Sequence, residues 1–112
     1  LDIPILSAAS DGTPTADGTT GAGVTTTAGS GRLYWAVVTD TGSCTDTQLI
    51  AGAGGNIVAG KAGNQAVNGS GAQAIANITG LAAATTYQIK FLHVGGNNAI
   101  SAQASVDLTT TP

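Results

Sequence analysis

Two segments carry the clearest alternation of apolar and polar positions. In TYQIKFLHV, residues 86–94, Tyr87, Ile89 and Phe91 fall on one side with Gln88 and Lys90 between them, the period of two that marks a strand with one face in a core. In RLYWAVVTD, residues 32–40, the run Leu33, Tyr34, Trp35, Ala36, Val37, Val38 is apolar on both faces. One face, either Leu33-Trp35-Val37 or Tyr34-Ala36-Val38, must fill the core. The other needs cover from the segment after Thr45, from the glycine-rich stretch beyond it, or from another subunit.

The remaining segments read as strands and turns. LDIPILSAAS opens the chain with Ile3 and Leu6 around Pro4, and a proline is tolerated in an edge strand where its missing donor faces solvent. DGTPTADGTTGAG repeats Asp-Gly-Thr at Asp11 and Asp17 and reads as a surface loop. GVTTTA and RLYWAVVTD flank Gly29, Ser30 and Gly31 as two strands of a hairpin with a short glycine turn would. In TDTQLIAG, Thr45 stands three before Gln48 with Gly52 as a stop, so a helix of one or two turns is expected. Residues 53–71 are rich in glycine and asparagine and are expected to be mostly loop, with a short strand around Gln65 to Val67.

Later segments alternate again. AQAIANI places Ala74, Ala76 and Ile78 on one side, and ISAQASVDLTT places Ala102, Ala104, Val106 and Leu108 on one side. Ala82 to Ala84 favour a helix by propensity, but Gly80 breaks any helix entering from the left and alternation resumes at Tyr87. These alanines therefore belong to a crossing between strands. The sum is about seven antiparallel strands with one short helix after the third, an all-β sandwich. Its predicted core is Trp35, Val37, Ile78, Leu81, Tyr87, Ile89, Phe91, Val106 and Leu108.

Length and charge narrow the function classes. The 112 residues suffice for one domain, 1–112, with one modest core. Charged residues make up only 8%, against about a quarter in a typical soluble domain, so self-repulsion is weak and packing against copies or partners costs little. Six Asp face only Arg32, Lys61 and Lys90, for a net charge of -3; with no basic patch, nucleic acid is not an expected partner. No apolar run approaches the roughly 20 residues of a membrane span, so membrane insertion is not expected either. Cys44 is a single cysteine, which leaves no intramolecular disulfide and no cysteine metal cluster; a buried structural thiol is expected. The absence of Met and the abrupt start at LDIPIL suggest a fragment or a processed part of a larger chain.

Candidate chemistry is sparse. GNIVAGKA, residues 55–62, fills the first seven positions of a phosphate-binding loop, but Ala62 stands where a hydroxyl should hold magnesium, and the flanks lack the strand and helix that motif needs; an ordinary loop is expected. His93, the single histidine, would have to serve any acid–base mechanism near neutral pH. Its place after Phe91 favours a hydrogen-bonded structural role. The Asp residues never take the spacing of a calcium loop; a weak cation site at Asp11 and Asp17 is the minor alternative to two plain turns. Asn68 and Asn77 head formal glycosylation acceptors. Tyr34 and Trp35 could form an aromatic platform for a sugar. No catalytic, metal or cofactor-binding residues are expected, and no cofactor.

Leu81 and Tyr87, with Thr85 between them, have the spacing of a tyrosine corner, in which the ring lies on the core and the hydroxyl returns to upstream main chain. The run I-T-G-L-x-x-x-T-x-Y-x-I-x-F, closing on Leu108-Thr109-Thr110, resembles the second half of fibronectin type III domains. Together with G-x-G-R-L-Y-W-A-V-V-T and the Gly/Ala-rich middle, it is similar to a divergent fibronectin type III-like, immunoglobulin-like module of bacteriophage virion proteins, over most of residues 22–112. The resemblance implies a non-enzymatic structural or display module of a virion, on tail, fibre or capsid as decoration. Its expected partners are other virion proteins, copies of itself and host cell-surface glycans, met weakly and multivalently. Surface contacts are expected in the loops at Ser30 and at Gly95, Gly96, Asn97 and Asn98. The alternative is a carbohydrate-binding or adhesion accessory module of a secreted or cell-surface bacterial protein.

Overall fold

Alternation in residues 86–94 becomes alternating burial: Tyr87, Ile89, Phe91 and His93 are buried along one face of a strand spanning Thr86–Val94. The computed structural model describes residues 3–112; Leu1 and Asp2, at the head of the predicted first strand, lie outside the described residues. The elements are β1 (Leu6–Ser10), β2 (Thr13–Thr15), β3 (Gly18–Thr20), β4 (Gly23–Thr26), β5 (Arg32–Thr39), α1 (Asp46–Ala51), β6 (Ile57–Ala66), β7 (Gly71–Ala74), β8 (Thr86–Val94) and β9 (Ala104–Thr109). One sheet has the order β1-β4-β7 and the other β6-β5-β8-β9, while β2 and β3 form a separate two-stranded ribbon. Every pairing is antiparallel.

The two larger sheets face each other across one core. Leu33, Trp35 and Val37 of β5, Tyr87, Ile89 and Phe91 of β8 and Leu108 of β9 meet Val24 of β4 and the connecting residues Val67, Ile75, Ile78 and Leu81. Each large apolar side chain buried there contributes roughly 1.5–3 kcal/mol. Val106 is half-buried against the same cluster. The odd-numbered face of β5 is therefore the one in the core.

Its other face is covered within the chain. Ala36 packs with Leu92 of β8 and with Leu49, the buried residue of α1, and Tyr34, Cys44, Ile57, Ala62 and Val94 close around them. A helix this short needs its ends satisfied. Thr45 Oγ1 accepts from the Gln48 N–H at 3.1 Å and Gln48 Oε1 accepts from the Thr45 N–H at 3.0 Å, a complete capping box. At the other end Gly52, at φ 74, donates its N–H to the carbonyls of Gln48 and Leu49. Gln103 Nε2 then ties the approach to the helix to the main body through Cys44 O at 3.0 Å and Asp46 Oδ1 at 2.8 Å.

Several local expectations are corrected. The segments either side of Gly29-Ser30-Gly31 do not form a hairpin: β4 pairs with β1 and β7, and β5 with β6 and β8. All lateral positions on both strands are taken, so the glycine turn crosses from one sheet to the other. A Cβ on Gly31, at φ 91, would lie 2.1 Å from Val94 O, which is why glycine stands there. The predicted surface loop at 11–23 contains the β2–β3 ribbon, tied to the body by mutual main-chain bonds of Thr19 and Ile78 at 3.0 Å. Half of the predicted loop within 53–71, residues 57–64, is strand: it belongs to β6, which runs on through the expected strand positions Gln65 and Ala66 and whose register against β5 slips between Ala36 and Val38, where Gly60 adopts φ 74 in a bulge. Finally, β7 ends at Ala74. Ala74 and Ala76 are exposed while Ile75 is buried, so the side assigned to the alanines belongs to solvent and the isoleucine between them turns inward.

Candidate functional site

Three connections gather at one end of the sandwich. The β4–β5 crossing at 27–31 meets the β6–β7 connection through Gly69 N–H to Gly29 O at 3.0 Å and Val67 N–H to Gly31 O at 2.9 Å. It meets the β8–β9 hairpin where Ser30 Oγ would lie 2.7 Å from a Cβ on Gly96. The N-terminal segment joins them: Thr27 N–H donates to Ile5 O at 3.2 Å and Ile5 N–H to Thr27 Oγ1 at 3.0 Å. Together they enclose a groove of about 590 Å³ lined by Ile3, Ile5, Thr27, Ala28 and Gly29 with Ser30, Gly95, Gly96 and Asn97.

Four of the five predicted contact residues line this groove. The fifth, Asn98, closes the hairpin behind it: its N–H donates to Gly95 O at 2.9 Å, and it takes the left-handed conformation, φ 66, that Asn tolerates well. Gly95 itself is buried, with Pro4 close above it. Sequence reading missed Ile3 and Ile5, which are 60% and 64% exposed. It placed Ile3 in a strand, and no local pattern says that an isoleucine will face a groove built by loops far away in sequence. None of the described residues lining the groove is charged; they offer hydroxyls, an amide, main-chain groups and the apolar side chains of Ile3, Ile5 and Ala28.

Beneath the groove lies His93, with no exposure. Its Nδ1 is 2.6 Å from Thr26 Oγ1 and its Nε2 is 2.7 Å from Ser30 O. At the opposite end the Tyr87 hydroxyl accepts a hydrogen bond from the Ala82 N–H at 3.1 Å. Thr110 Oγ1 donates to Ala82 O at 2.6 Å and accepts from the Thr85 N–H at 3.0 Å, and Thr85 Oγ1 donates to Ala83 O at 2.9 Å. The Leu81 N–H reaches Asp17 O at 2.8 Å. Among the described residues, no buried side-chain nitrogen or oxygen lacks a partner.

The sharper chemical candidates are placed as follows. Residues 57–62 of the phosphate-loop-like run lie in β6, and the Lys61 amine sits over Gly80, 2.6 Å from where a Cβ would be. The loop expected there is corrected to strand over 57–62, and the run leads into no helix whose N-terminus could face a phosphate. Asp17 accepts from Thr15 Oγ1 at 3.1 Å and from the Gly80 N–H at 3.4 Å; Asp11 offers its main-chain carbonyl to Thr19 Oγ1. Among the described residues no group of three His, Cys, Asp or Glu side chains is placed to hold a metal.

Tyr34 and Trp35, being adjacent on a strand, point to opposite faces. Trp35 is 8% exposed in the core, its ring against Gly63, and Tyr34 joins the cluster under α1. They cannot form one platform. Cys44 is half-buried; burial pushes its thiol pKa up, Asp46 adds to the rise and Lys90 opposes it. Asn68 and Asn77 are both exposed. No described helix is long and apolar enough to cross a membrane. No protein-family model matches the chain, and neither a curated protein nor a solved structure matches it.

Proposed function

We propose that the chain is an immunoglobulin-like sandwich close to fibronectin type III, serving as a non-enzymatic structural or display module of a bacteriophage virion. The observation that carries the reading is the pairing of two features. Consecutive strands β4 and β5 lie in opposite sheets, the kind of connection that immunoglobulin-like sandwiches use. The Tyr87 hydroxyl is tied back to Ala82 main chain upstream of its own strand, with Leu81 and Thr85 beside it, as in a tyrosine corner.

A rigid sandwich that gathers three loops at one end suits display. None of the described residues lining the groove is charged and the groove is open, so a single contact with a host glycan or a neighbouring virion protein would be weak. Many copies on one particle convert weak contacts into lasting adhesion, because every contact after the first forms at high effective concentration. Recognition would lie with Ser30, Gly95, Gly96 and Asn97. The accessory carbohydrate-binding reading loses the aromatic pair that motivated it, since Tyr34 and Trp35 lie on opposite faces of β5.

Quantitative mass spectrometry of purified phage particles tests the proposal. Tens to hundreds of copies per particle are expected. Recovery of the chain only from culture medium or bacterial surfaces would replace the virion reading with the accessory-module one.

A further inference from the structure

The His93 imidazole is occupied at both nitrogens. A carbonyl oxygen only accepts, so the bond from Nε2 to Ser30 O at 2.7 Å places a proton on Nε2. With that proton on Nε2, the other nitrogen of the neutral tautomer is an acceptor, and Thr26 Oγ1, 2.6 Å from Nδ1, is placed to donate to it. The main chain of His93 is held as firmly: its N–H donates to Ser101 Oγ and its carbonyl accepts from the Ser101 N–H, both at 2.9 Å. Thr26 and Ser101 are each 2% exposed. The ring is thus fixed before it reaches the loop.

Ser30 is the meeting point of the whole end. Its neighbours Gly29 and Gly31 supply the carbonyls that hold Gly69 and Val67, and its hydroxyl rests against Gly96. With glycine on both sides, Ser30 has little conformational restraint of its own.

We propose that His93 is the positioning residue of this three-loop end: by anchoring the Ser30 carbonyl it sets the β4–β5 crossing, and through Gly29 and Gly31 it sets the β6–β7 connection. The competing role is that of a ring that only fills space, which an apolar ring of similar size would serve equally well. The inference concerns the shape of this end and holds or fails independently of where the protein is displayed.

Amide hydrogen exchange on His93→Phe separates the two roles. Removing the bond to Ser30 is expected to raise exchange of the Val67 and Gly69 amides by about tenfold, the order of one lost buried hydrogen bond. The Leu81 and Thr110 amides at the far end are expected to keep wild-type rates. His93→Leu, which also lacks a donor for the Ser30 carbonyl and leaves the bond from Ala28 to Thr26 in place, is expected to move the same two amides in the same direction, and it serves if His93→Phe does not fold. Nitrogen NMR of the wild-type ring is expected to show Nε2 protonated and Nδ1 as acceptor. Unchanged exchange at Val67 and Gly69, exchange raised equally at both ends, or a ring protonated on Nδ1 alone would each overturn the proposal.

Discussion

Tyr87 and His93 stand at opposite ends of the same buried face of β8, and each ties its polar atom to main chain that crosses between the sheets: Tyr87 to Ala82 and His93 to Ser30. The middle of β8 contributes only apolar burial through Ile89 and Phe91. Polar ties at the two ends fix where the crossings sit, which apolar contacts, being non-directional, do not. The two ends should therefore respond separately to substitution.

Tyr87→Phe removes the hydroxyl and leaves the Ala82 N–H without that partner. A loss of about 1 kcal/mol is expected, read as a fall of a few degrees in Tm, with the β-sheet circular dichroism signal retained. An unchanged Tm would show that the bond contributes nothing.

Leu49→Ala tests the cover over β5. Leu49 is 1% exposed against Ala36 and Leu92, so truncation is expected to cost about 2–5 kcal/mol. Loosening α1 should also speed labelling of Cys44 by a thiol reagent. Labelling at the wild-type rate in the variant would mean that the helix does not shield the thiol.

Gly63→Ala tests the packing of the indole. A Cβ at 63 would lie 2.8 Å from Trp35 Cζ2, so the ring or the strand must shift. The single tryptophan makes the result legible: its fluorescence is expected to move to longer wavelength and Tm to fall. Unaltered emission together with unaltered Tm would contradict the placement of the ring.

The Cys44 thiol gives a pH dependence. Burial raises its pKa above the ordinary value, so over the alkaline range the folded chain binds more protons than the unfolded one. Its contribution to stability is present below the ordinary thiol pKa of about 8.5 and is lost as pH rises through the raised value. Labelling of the folded protein should accordingly need a higher pH than labelling of the urea-unfolded chain. Equal pH profiles for the two states would contradict the shift.

Much of the fold was legible because its signals are local. Period-two alternation locates β8, and the Thr45–Gln48 spacing is the pair that closes the capping box. An apolar run on both faces marks β5 as a central strand needing cover on two sides. The errors fall where a local signal has two physical outcomes. A short glycine turn between strands can reverse the chain within a sheet or carry it to the other sheet, and Gly29-Ser30-Gly31 does the second. Glycine and asparagine in 57–64 read as loop, yet β6 is a strand whose small residues leave room for Trp35 at Gly63 and whose bulge forms at Gly60. The groove was half legible: its loops were singled out, but Ile3 and Ile5 join them only through contacts distant in sequence, and the link from His93 of β8 to Ser30 in the β4–β5 crossing joins residues 63 apart.

Electron microscopy of the native phage particle tests the central functional claim most directly. The account predicts density for this two-sheet sandwich at many equivalent positions, with the end bearing Ser30 and Gly95 to Asn97 facing outward or against a neighbouring virion protein. Particles whose density accommodates no copy of the sandwich would contradict it.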